Sequence, residues 1–196
     1  MFVEFHTVNP KTGWIEVVCG SMFSGKTEEL IRRIRRAEIA NQNIRLFKPK
    51  VDTRFAKKEI VSHNQNTLKS TVVSSSSEIL TQVDSVDVVG IDEAQFFDEK
   101  LIEVANSLAN SGIRVIIAGL DMDYAGVPFG PMPQLMAIAE FVTKVHAICQ
   151  QCGSLANYSY RLDPDQSQIL VGEKDVYEPR CRKCYFGEKA VLRDQK

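Results

Sequence analysis

The fold of this chain is decided by the stretch Gly20-Ser21-Met22-Phe23-Ser24-Gly25-Lys26-Thr27. It matches the pattern G-x-x-x-x-G-K-[ST], in which backbone N–H groups close around phosphate oxygens. Residues 14–19, just before it, are rich in β-branched and apolar side chains and predict a strand. After it, apolar residues recur at helical spacing and predict a helix with one buried face. These residues are Leu30, Ile31, Ile34 and Ala37.

A strand, a glycine-rich loop and a helix form the context that a phosphate-binding loop needs, because the helix N-terminus adds a positive dipole. Lys26 is then expected to reach the β- and γ-phosphates of a nucleoside triphosphate, and Thr27 to offer its hydroxyl to Mg²⁺. The alternative is a chance glycine turn in front of a helix. The match at all the fixed positions and on both flanks favours the phosphate-binding loop.

Composition limits the classes to which the chain can belong. Its 196 residues suffice for one α/β domain and a small appendage. Hydrophobic residues make up 44% and charged residues 25%, a mix that is typical of a globular protein, and the net charge of −1 offers no strong field for nucleic acid. The sequence carries neither an apolar run of membrane-spanning length nor a secretory signal, so we expect a cytoplasmic protein without a membrane partner.

Strand and helix patterns alternate along the chain, which predicts an α/β fold with a mainly parallel sheet covered on both faces. Further strands are predicted at residues 44–47, 67–73, 86–93, 114–120 and 143–148. One short helix is expected over residues 75–82, opened by a capping box of Ser75 and Glu78. A second is expected from Asp98, as its N-cap, to Asn110, and a third over residues 133–140.

A cluster of arginines lies in the first helix, at positions 32, 33, 35 and 36. Such a cluster can form a nucleic-acid patch or a solvated helix face. Because acidic residues flank it, we favour the solvated face.

The strand predicted at residues 86–93 ends in two carboxylates, Asp92 and Glu93. The carboxyl ends of buried parallel strands face the nucleotide in such folds. An acid at this place usually holds the Mg²⁺ shell, and a second one beside it can act as a general base. The alternative, a pair of helix-capping acids, is less favoured beside a phosphate-binding loop.

The C-terminal part carries two C-x2-C pairs, Cys149 with Cys152 and Cys181 with Cys184. In a reducing compartment two such pairs indicate a tetrahedral structural zinc site that leaves no open coordination position. Two unrelated thiol pairs, or a redox pair, remain as alternatives. The fifth cysteine, Cys19, is expected to be a buried strand residue. The three histidines, at positions 6, 63 and 146, show no ligand or triad spacing and are interpreted as structural.

Taken together, these motifs resemble the type II, zinc-containing thymidine kinase family. The resemblance spans about residues 13–186. Beyond the phosphate-binding loop and the cysteines, it rests on four further stretches. They are Asp52-Thr53-Arg54, Ile91-Asp92-Glu93-Ala94-Gln95-Phe96-Phe97, Gly119-Leu120-Asp121 and Pro128-Phe129-Gly130.

The resemblance implies transfer of the γ-phosphoryl group of ATP to the 5′-hydroxyl of thymidine, and of deoxyuridine as well, with Mg²⁺. It implies a RecA-like phosphate-loop domain at residues 1–146, a small zinc-binding lobe with a lasso loop at 147–190, and a tail at 191–196. It also implies a homotetramer that is inhibited by thymidine triphosphate. The net charge of −1 separately predicts no nucleic-acid partner.

Site residues carry over by position from the same resemblance. Glu93 corresponds to the base that takes the 5′-hydroxyl proton. Arg54, Asp92 and Gln95 join residues 20–27 around the phosphates, and Thr27, Asp52 and Asp92 surround Mg²⁺. The remaining positions match the walls around the nucleoside, the last four of them on or next to the lasso of residues 163–177. They are Met22, Phe96, Leu120, Tyr124, Phe129, Ile169, Leu170, Gly172 and Tyr177.

Two other classes remain open from the sequence. A RecA-like nucleic-acid ATPase with a zinc ribbon would need a basic, aromatic-rich face, which the net charge of −1 disfavours. A nucleotide-binding regulator without catalytic activity would not need the adjacent carboxylates. A GTPase is disfavoured because the chain has no N-K-x-D base-reading motif.

Overall fold

The structure is a computed structural model that describes residues 12–50, 59–61, 67–162 and 176–193. Strands and helices are labelled in chain order. The first half holds β1 (Trp14–Gly20), α1 (Lys26–Ile39), β2 (Ile44–Pro49), β3 (Glu59–Val61), β4 (Thr67–Lys69), β5 (Thr71–Val73), α2 (Ser77–Leu80) and β6 (Val88–Ile91). The second half holds α3 (Leu101–Asn110), β7 (Arg114–Leu120), α4 (Met132–Ile138), β8 (Phe141–Lys144), β9 (Ala147–Ile148), β10 (Leu155–Ala156), β11 (Tyr158–Arg161), β12 (Tyr177–Arg180) and α5 (Arg182–Arg193).

A six-stranded sheet forms the centre, in the order β5-β2-β6-β7-β1-β8. Every neighbouring pair in it is parallel, so the predicted α/β fold with a parallel sheet is confirmed. Side chains of β1 alternate between the two faces: Ile15, Val17 and Cys19 join one apolar cluster and Val18 joins the other. Because both clusters are buried, the strands carry nearly continuous apolar sequence, as expected for a parallel interior.

Helices cover the two faces unequally. On one face α3 and α4 bury residues such as Leu101, Leu108 and Leu135 against the sheet. On the other, α1 presents the apolar face that its spacing predicts: Leu30, Ile31, Ile34 and Ala37 are all buried. The carboxyl ends of the parallel strands therefore open onto one edge, where α1 begins.

Two predicted strands are each divided between two sheets. Residues 67–73 form β4, which pairs antiparallel with β3, and then β5, which pairs parallel with β2. Residues 143–148 likewise contribute to β8, beside β1, and then to β9, which pairs with β10. Each run has strand-like composition throughout, but its neighbours in the fold change part-way along, which divides it.

Two predicted helix starts and one predicted helix end need correction. Ser75 does not cap α2 with its side chain; its carbonyl accepts from the Glu78 N–H, and Glu78 Oε2 accepts from the backbone N–H of Ser74 at 3.2 Å. Helix α3 begins at Leu101, because the carboxylate of Asp98 turns the chain by accepting from the Lys100 N–H at 3.0 Å. Helix α4 ends at Ile138, since Glu140 instead accepts from the N–H of Ile15 at 2.6 Å.

Three of the four α1 arginines, Arg32, Arg35 and Arg36, are exposed as the solvated-face interpretation predicts, but Arg33 contradicts it. Its side chain is fully buried against β1 and donates to Glu16 Oε2 at 2.8 Å, with Glu29 and Thr143 as further acceptors. Glu16 is buried as well and accepts from Arg114 Nε at 2.7 Å. The interface between α1 and the sheet therefore contains an ion network inside an otherwise apolar layer.

The C-terminal part forms two small antiparallel pairs, β9 with β10 and β11 with β12, followed by α5. Tyr185 of α5 is fully buried and stacks on Tyr158 of β11, with ring centroids 4.5 Å apart. None of the helices in the described ranges has the length and the apolar character that crossing a membrane would require.

Candidate active site

The phosphate-binding loop has the backbone that its glycines permit. Gly20 has φ 149° and Gly25 has φ 85°, and between them Phe23 has φ 62°. A Cβ on Gly20 would lie 2.2 Å from the carbonyl oxygen of Val145, so no larger residue fits there. Helix α1 begins at Lys26 directly after this turn, which aims its N-terminal N–H groups at the loop, an arrangement suited to an anion.

The Lys26 ammonium lies inside the loop, where its Nζ donates to the carbonyl of Ser21 at 2.8 Å. Ser24 Oγ donates to the same carbonyl at 2.7 Å. Burial lowers the pKa of Lys26, and the negative charges of Glu93 and Asp92 oppose part of that effect. A cation held here is well placed to neutralise phosphate oxygens.

Thr27 and Asp92 lie together at the carboxyl end of the sheet. Thr27 Oγ1 is 3.4 and 3.5 Å from the two carboxylate oxygens of Asp92. Burial, and then the charge of Glu93, raise the pKa of Asp92 from 3.8 to about 7. A hydroxyl and a buried carboxylate that converge in this way are oxygen ligands of the type that Mg²⁺ prefers, so the pair fits such an ion.

Glu93 is held in an unusual backbone conformation. Its φ of 53° and ψ of 42° place a residue other than glycine in the left-handed region, which costs on the order of 1 kcal/mol or more. The Gln95 side chain holds the carboxylate: Gln95 Nε2 donates to Glu93 Oε2 at 2.5 Å, and Gln95 Oε1 accepts from the Leu120 N–H at 2.9 Å. Both ends of the Gln95 amide thus contact protein groups, one of them the Glu93 carboxylate.

Asp121 is a buried acid near this site that was assigned no role from the sequence. Lys144 Nζ lies 2.6 Å from Asp121 Oδ2, yet neither carboxylate oxygen has a well-directed hydrogen-bond partner among the described residues. The contact is a direct ion pair of poor hydrogen-bond geometry, because an N···O distance of 2.6 Å leaves no room for a water molecule between the two atoms. Cys19 is fully buried, as predicted, and burial followed by the charge of Asp121 raises its pKa to about 11.

The predicted nucleoside-wall residues form two groups. Phe96 meets Phe129 edge to face, with ring centroids 5.5 Å apart. Tyr124 and Tyr177 both contact Arg161, whose guanidinium carbon is 3.6 Å from the centroid of the Tyr124 ring. A bridge between Met122 and Pro128 closes the loop that joins Tyr124 to Phe129.

Three further residues connect β11 and α5 to this site, and no sequence motif points to them. Ser159 Oγ accepts from the N–H of Met22 in the phosphate-binding loop at 3.0 Å. The Tyr185 hydroxyl donates to the carbonyl of Tyr124 at 2.7 Å. Arg161, described above, is the third. Met22 lies 137 residues from Ser159 along the chain and Tyr124 lies 61 residues from Tyr185, so only the folded structure brings these pairs together.

The four predicted zinc ligands converge at one point. The Sγ atoms of Cys149, Cys152, Cys181 and Cys184 all lie within 4.8 Å of one another, and those of Cys152 and Cys181 are 3.6 Å apart. Four thiolates at about 2.3 Å from a zinc ion would lie about 3.8 Å apart, so the cluster fits a tetrahedral site. All four are free thiols, and hydrogen bonding from Ser154 lowers the pKa of Cys152 to about 6, which favours its thiolate.

Comparison with known proteins identifies the family. The family model described as thymidine kinase matches residues 13–185, nearly the whole chain. The chain belongs to the thymidine kinase family. A protein of Rhodothermus sp. (strain ITI 518) named thymidine kinase is 60% identical over 173 residues, which cover 88% of this chain and 81% of the relative. Proteins of the same name from Bacteroides fragilis (strain YCH46) and Bacteroides thetaiotaomicron are 56% and 58% identical, covering 100% and 95% of this chain and 98% and 94% of the relatives.

Membership in the thymidine kinase family confirms the resemblance that the motifs indicated. Several predicted site residues lie outside the described residues, and so do His6 and His63. The site residues are Asp52, Arg54, Ile169, Leu170 and Gly172. His146 is exposed, with its Nδ1 2.5 Å from Asn157 Oδ1.

Proposed function

We propose that this chain transfers the γ-phosphoryl group of ATP to the 5′-hydroxyl of thymidine, and of deoxyuridine as well, as a salvage enzyme for deoxynucleosides. The family supports thymidine as the substrate. The observation that carries the mechanism is the Glu93 carboxylate, held by Gln95 beside Asp92 and near the Lys26 ammonium. The proposal needs a proton acceptor next to a phosphate-binding loop, and this arrangement supports it.

Glu93 acts as the general base in this proposal. Its carboxylate accepts the proton of the 5′-hydroxyl as the oxygen attacks the γ-phosphorus, and the bond to the β-phosphate oxygen breaks. The fixed orientation matters because a base contributes only when it lies within hydrogen-bond reach of the proton that it takes. Gln95 and the backbone of β7 provide that orientation without contacting the reacting atoms.

The phosphate-binding loop and its neighbours neutralise charge. Phosphoryl transfer has a loose transition state, so positioning and charge compensation dominate its catalysis. Lys26 and the backbone of residues 20–27 bind the triphosphate, with Arg54 as a further phosphate contact. Thr27, Asp92 and Asp52 would hold Mg²⁺, which supplies additional charge neutralisation when it is bound with ATP.

The nucleoside base lies between apolar walls in this proposal. Met22, Phe96, Leu120, Tyr124 and Phe129 form the walls from the phosphate-loop side, since a flat pyrimidine needs aromatic and aliphatic surfaces with few polar groups. Tyr177 and the lasso residues Ile169, Leu170 and Gly172 complete the nucleoside site in this proposal.

The four cysteines would hold a structural zinc ion with no open position for a substrate. We propose a division into a phosphate-loop domain at residues 1–146, a zinc-binding lobe at 147–190 and a tail at 191–196. A cytoplasmic homotetramer, inhibited by thymidine triphosphate, completes the proposal, and the resemblance to the type II family supports these last features.

A phosphoryl-transfer assay with ATP, Mg²⁺ and a panel of five deoxynucleosides tests the function. We expect nucleotide product from thymidine and deoxyuridine, and little from deoxycytidine, deoxyadenosine or deoxyguanosine. Lys26→Ala should abolish product formation, whereas Lys100→Ala, which removes an exposed lysine, should not. ATP hydrolysis stimulated by DNA without nucleoside product would favour the nucleic-acid ATPase, and ATP binding without any turnover would favour the regulator.

A further inference from the structure

Arg161, the last residue of β11, is a buried cation that the phosphoryl-transfer chemistry does not use. Only 8% of its surface is exposed. Its Nη2 and Nε donate to the hydroxyl oxygen of Tyr177 at 2.6 and 3.2 Å. One face of the same guanidinium lies over the Tyr124 ring, 3.6 Å from the ring centroid. The guanidinium thus contacts one aromatic side chain through its edge and another through its face.

The two aromatic residues come from different parts of the fold. Tyr177 lies directly opposite Arg161 in the antiparallel pair of β11 and β12. Tyr124 lies in the loop after β7, where Asp123 Oδ1 accepts from the N–H groups of Ala125 and Val127 at 2.8 and 3.0 Å. Arg161 therefore joins the C-terminal strand pair to a structured loop at the carboxyl edge of the central sheet.

We propose that Arg161 is a positioning residue that fixes the Tyr124 and Tyr177 side chains as one nucleoside-binding wall. This inference rests on the proposed function, in which both tyrosines line the nucleoside site. A planar guanidinium can donate from its edge while an aromatic ring packs on its face, and a lysine ammonium cannot do both. The residue identity thus matters as well as the charge.

The expected kinetic effect is confined to nucleoside binding. Arg161 acts through side chains of the wall and has no contact with Glu93 or Lys26 among its described contacts. Loosening the wall removes binding that the ground state and the transition state share, which raises KM and leaves kcat nearly unchanged. The loss of a residue needed only for folding would instead lower the amount of active enzyme. The apparent kcat would then fall, without a selective rise in KM for thymidine.

The test compares Arg161→Met and Arg161→Lys with Arg182→Met, measured in the full-length, zinc-loaded enzyme. Arg182 is a matched control because its guanidinium also lies over aromatic rings of the same lobe, 5.3 Å from the Tyr158 centroid, but away from Tyr124 and Tyr177. We expect both Arg161 variants to raise KM for thymidine about tenfold or more, with kcat and KM for ATP within about threefold of wild type. The control should match wild type.

A double-mutant cycle with Tyr177→Phe shows whether Arg161 acts through the tyrosine hydroxyl. Replacing Arg161 should raise KM less in the Tyr177→Phe background than in wild type, because part of the contact is already lost. Zinc content and thermal unfolding identify any variant that fails to fold. If Arg161→Met does not fold, KM for thymidine in Arg161→Lys alone tests the positioning role.

The outcomes separate this inference from the proposed function. A wild-type enzyme that phosphorylates thymidine, together with Arg161→Lys at normal KM for thymidine, would overturn the positioning role and leave the function intact. Fully additive effects in the cycle would overturn the action through the Tyr177 hydroxyl. A wild-type enzyme without activity on any deoxynucleoside would overturn both proposals.

Discussion

Replacing Glu93 by Gln tests the proposed base with little structural disturbance. The new carboxamide can still accept through its oxygen from Gln95 Nε2, and Gln95 can still accept from the Leu120 N–H, so the side chain should keep its place. The amide cannot take a proton from the 5′-hydroxyl. Loss of a general base typically lowers the rate about 10²–10⁴-fold, which is roughly 3–5 kcal/mol at about 1.4 kcal/mol per tenfold.

The assay is steady-state phosphorylation of thymidine at saturating ATP, with binding of both substrates measured separately by calorimetry. Glu93→Gln should bind ATP and thymidine within about threefold of wild type while kcat falls. Glu99→Gln provides a matched control, since it removes the same charge from a nearby exposed position. A kcat close to wild type in Glu93→Gln would refute the role, and equal losses in the two variants would show a general effect of charge.

Three further predictions concern stability and metal. Asp92 has a pKa of about 7 in the folded protein against an ordinary 3.8, so its contribution to folding stability is fully present below about pH 4 and is lost as the pH rises through about 7. The Tm of the nucleotide-free Asp92→Asn variant should therefore rise relative to the Tm of wild type between about pH 4 and pH 7. A Tm difference that stays constant over this range would contradict the prediction. Cys152→Ser should lose zinc, as measured by elemental analysis, and activity with it, because a structural zinc contributes about 10–16 kcal/mol; an active variant with no zinc would contradict the structural role. Arg33→Met leaves Glu16 without one of its buried partners and should lower the free energy of unfolding, measured in urea, by about 3–5 kcal/mol. Arg32→Met, at an arginine that is 50% exposed, should lower it by about 1 kcal/mol or less. Equal losses in the two variants would contradict the burial argument.

Local patterns in the sequence predicted the elements that carry the phosphate site. β1, α1 and β7 lie within a residue or two of the expected positions, because each has its own periodicity and a clear boundary such as Gly25. The convergence of the four cysteines also followed from spacing alone, since paired knuckles have few other uses. In these cases the local sequence pattern alone is enough to predict the observed structure.

Contacts between distant parts of the chain could not be predicted in the same way. The charge pattern around Arg33 is that of an exposed helix, and its burial depends on Glu16, which belongs to another element and faces the same layer. The division of residues 143–148 depends on which strands lie beside each half, and strand composition contains no such information. The contact between Ser159 and Met22 spans 137 residues and has no local signature.

Identification of the nucleotide product tests the central claim most directly. The purified enzyme is incubated with ATP, Mg²⁺ and thymidine, and the product is examined by proton-coupled phosphorus NMR. We predict a thymidine monophosphate whose phosphorus signal is a triplet, because a 5′-phosphate couples to the two protons on C5′. A doublet, which indicates phosphate on the 3′-oxygen, or consumption of ATP without any thymidine nucleotide, would contradict the account.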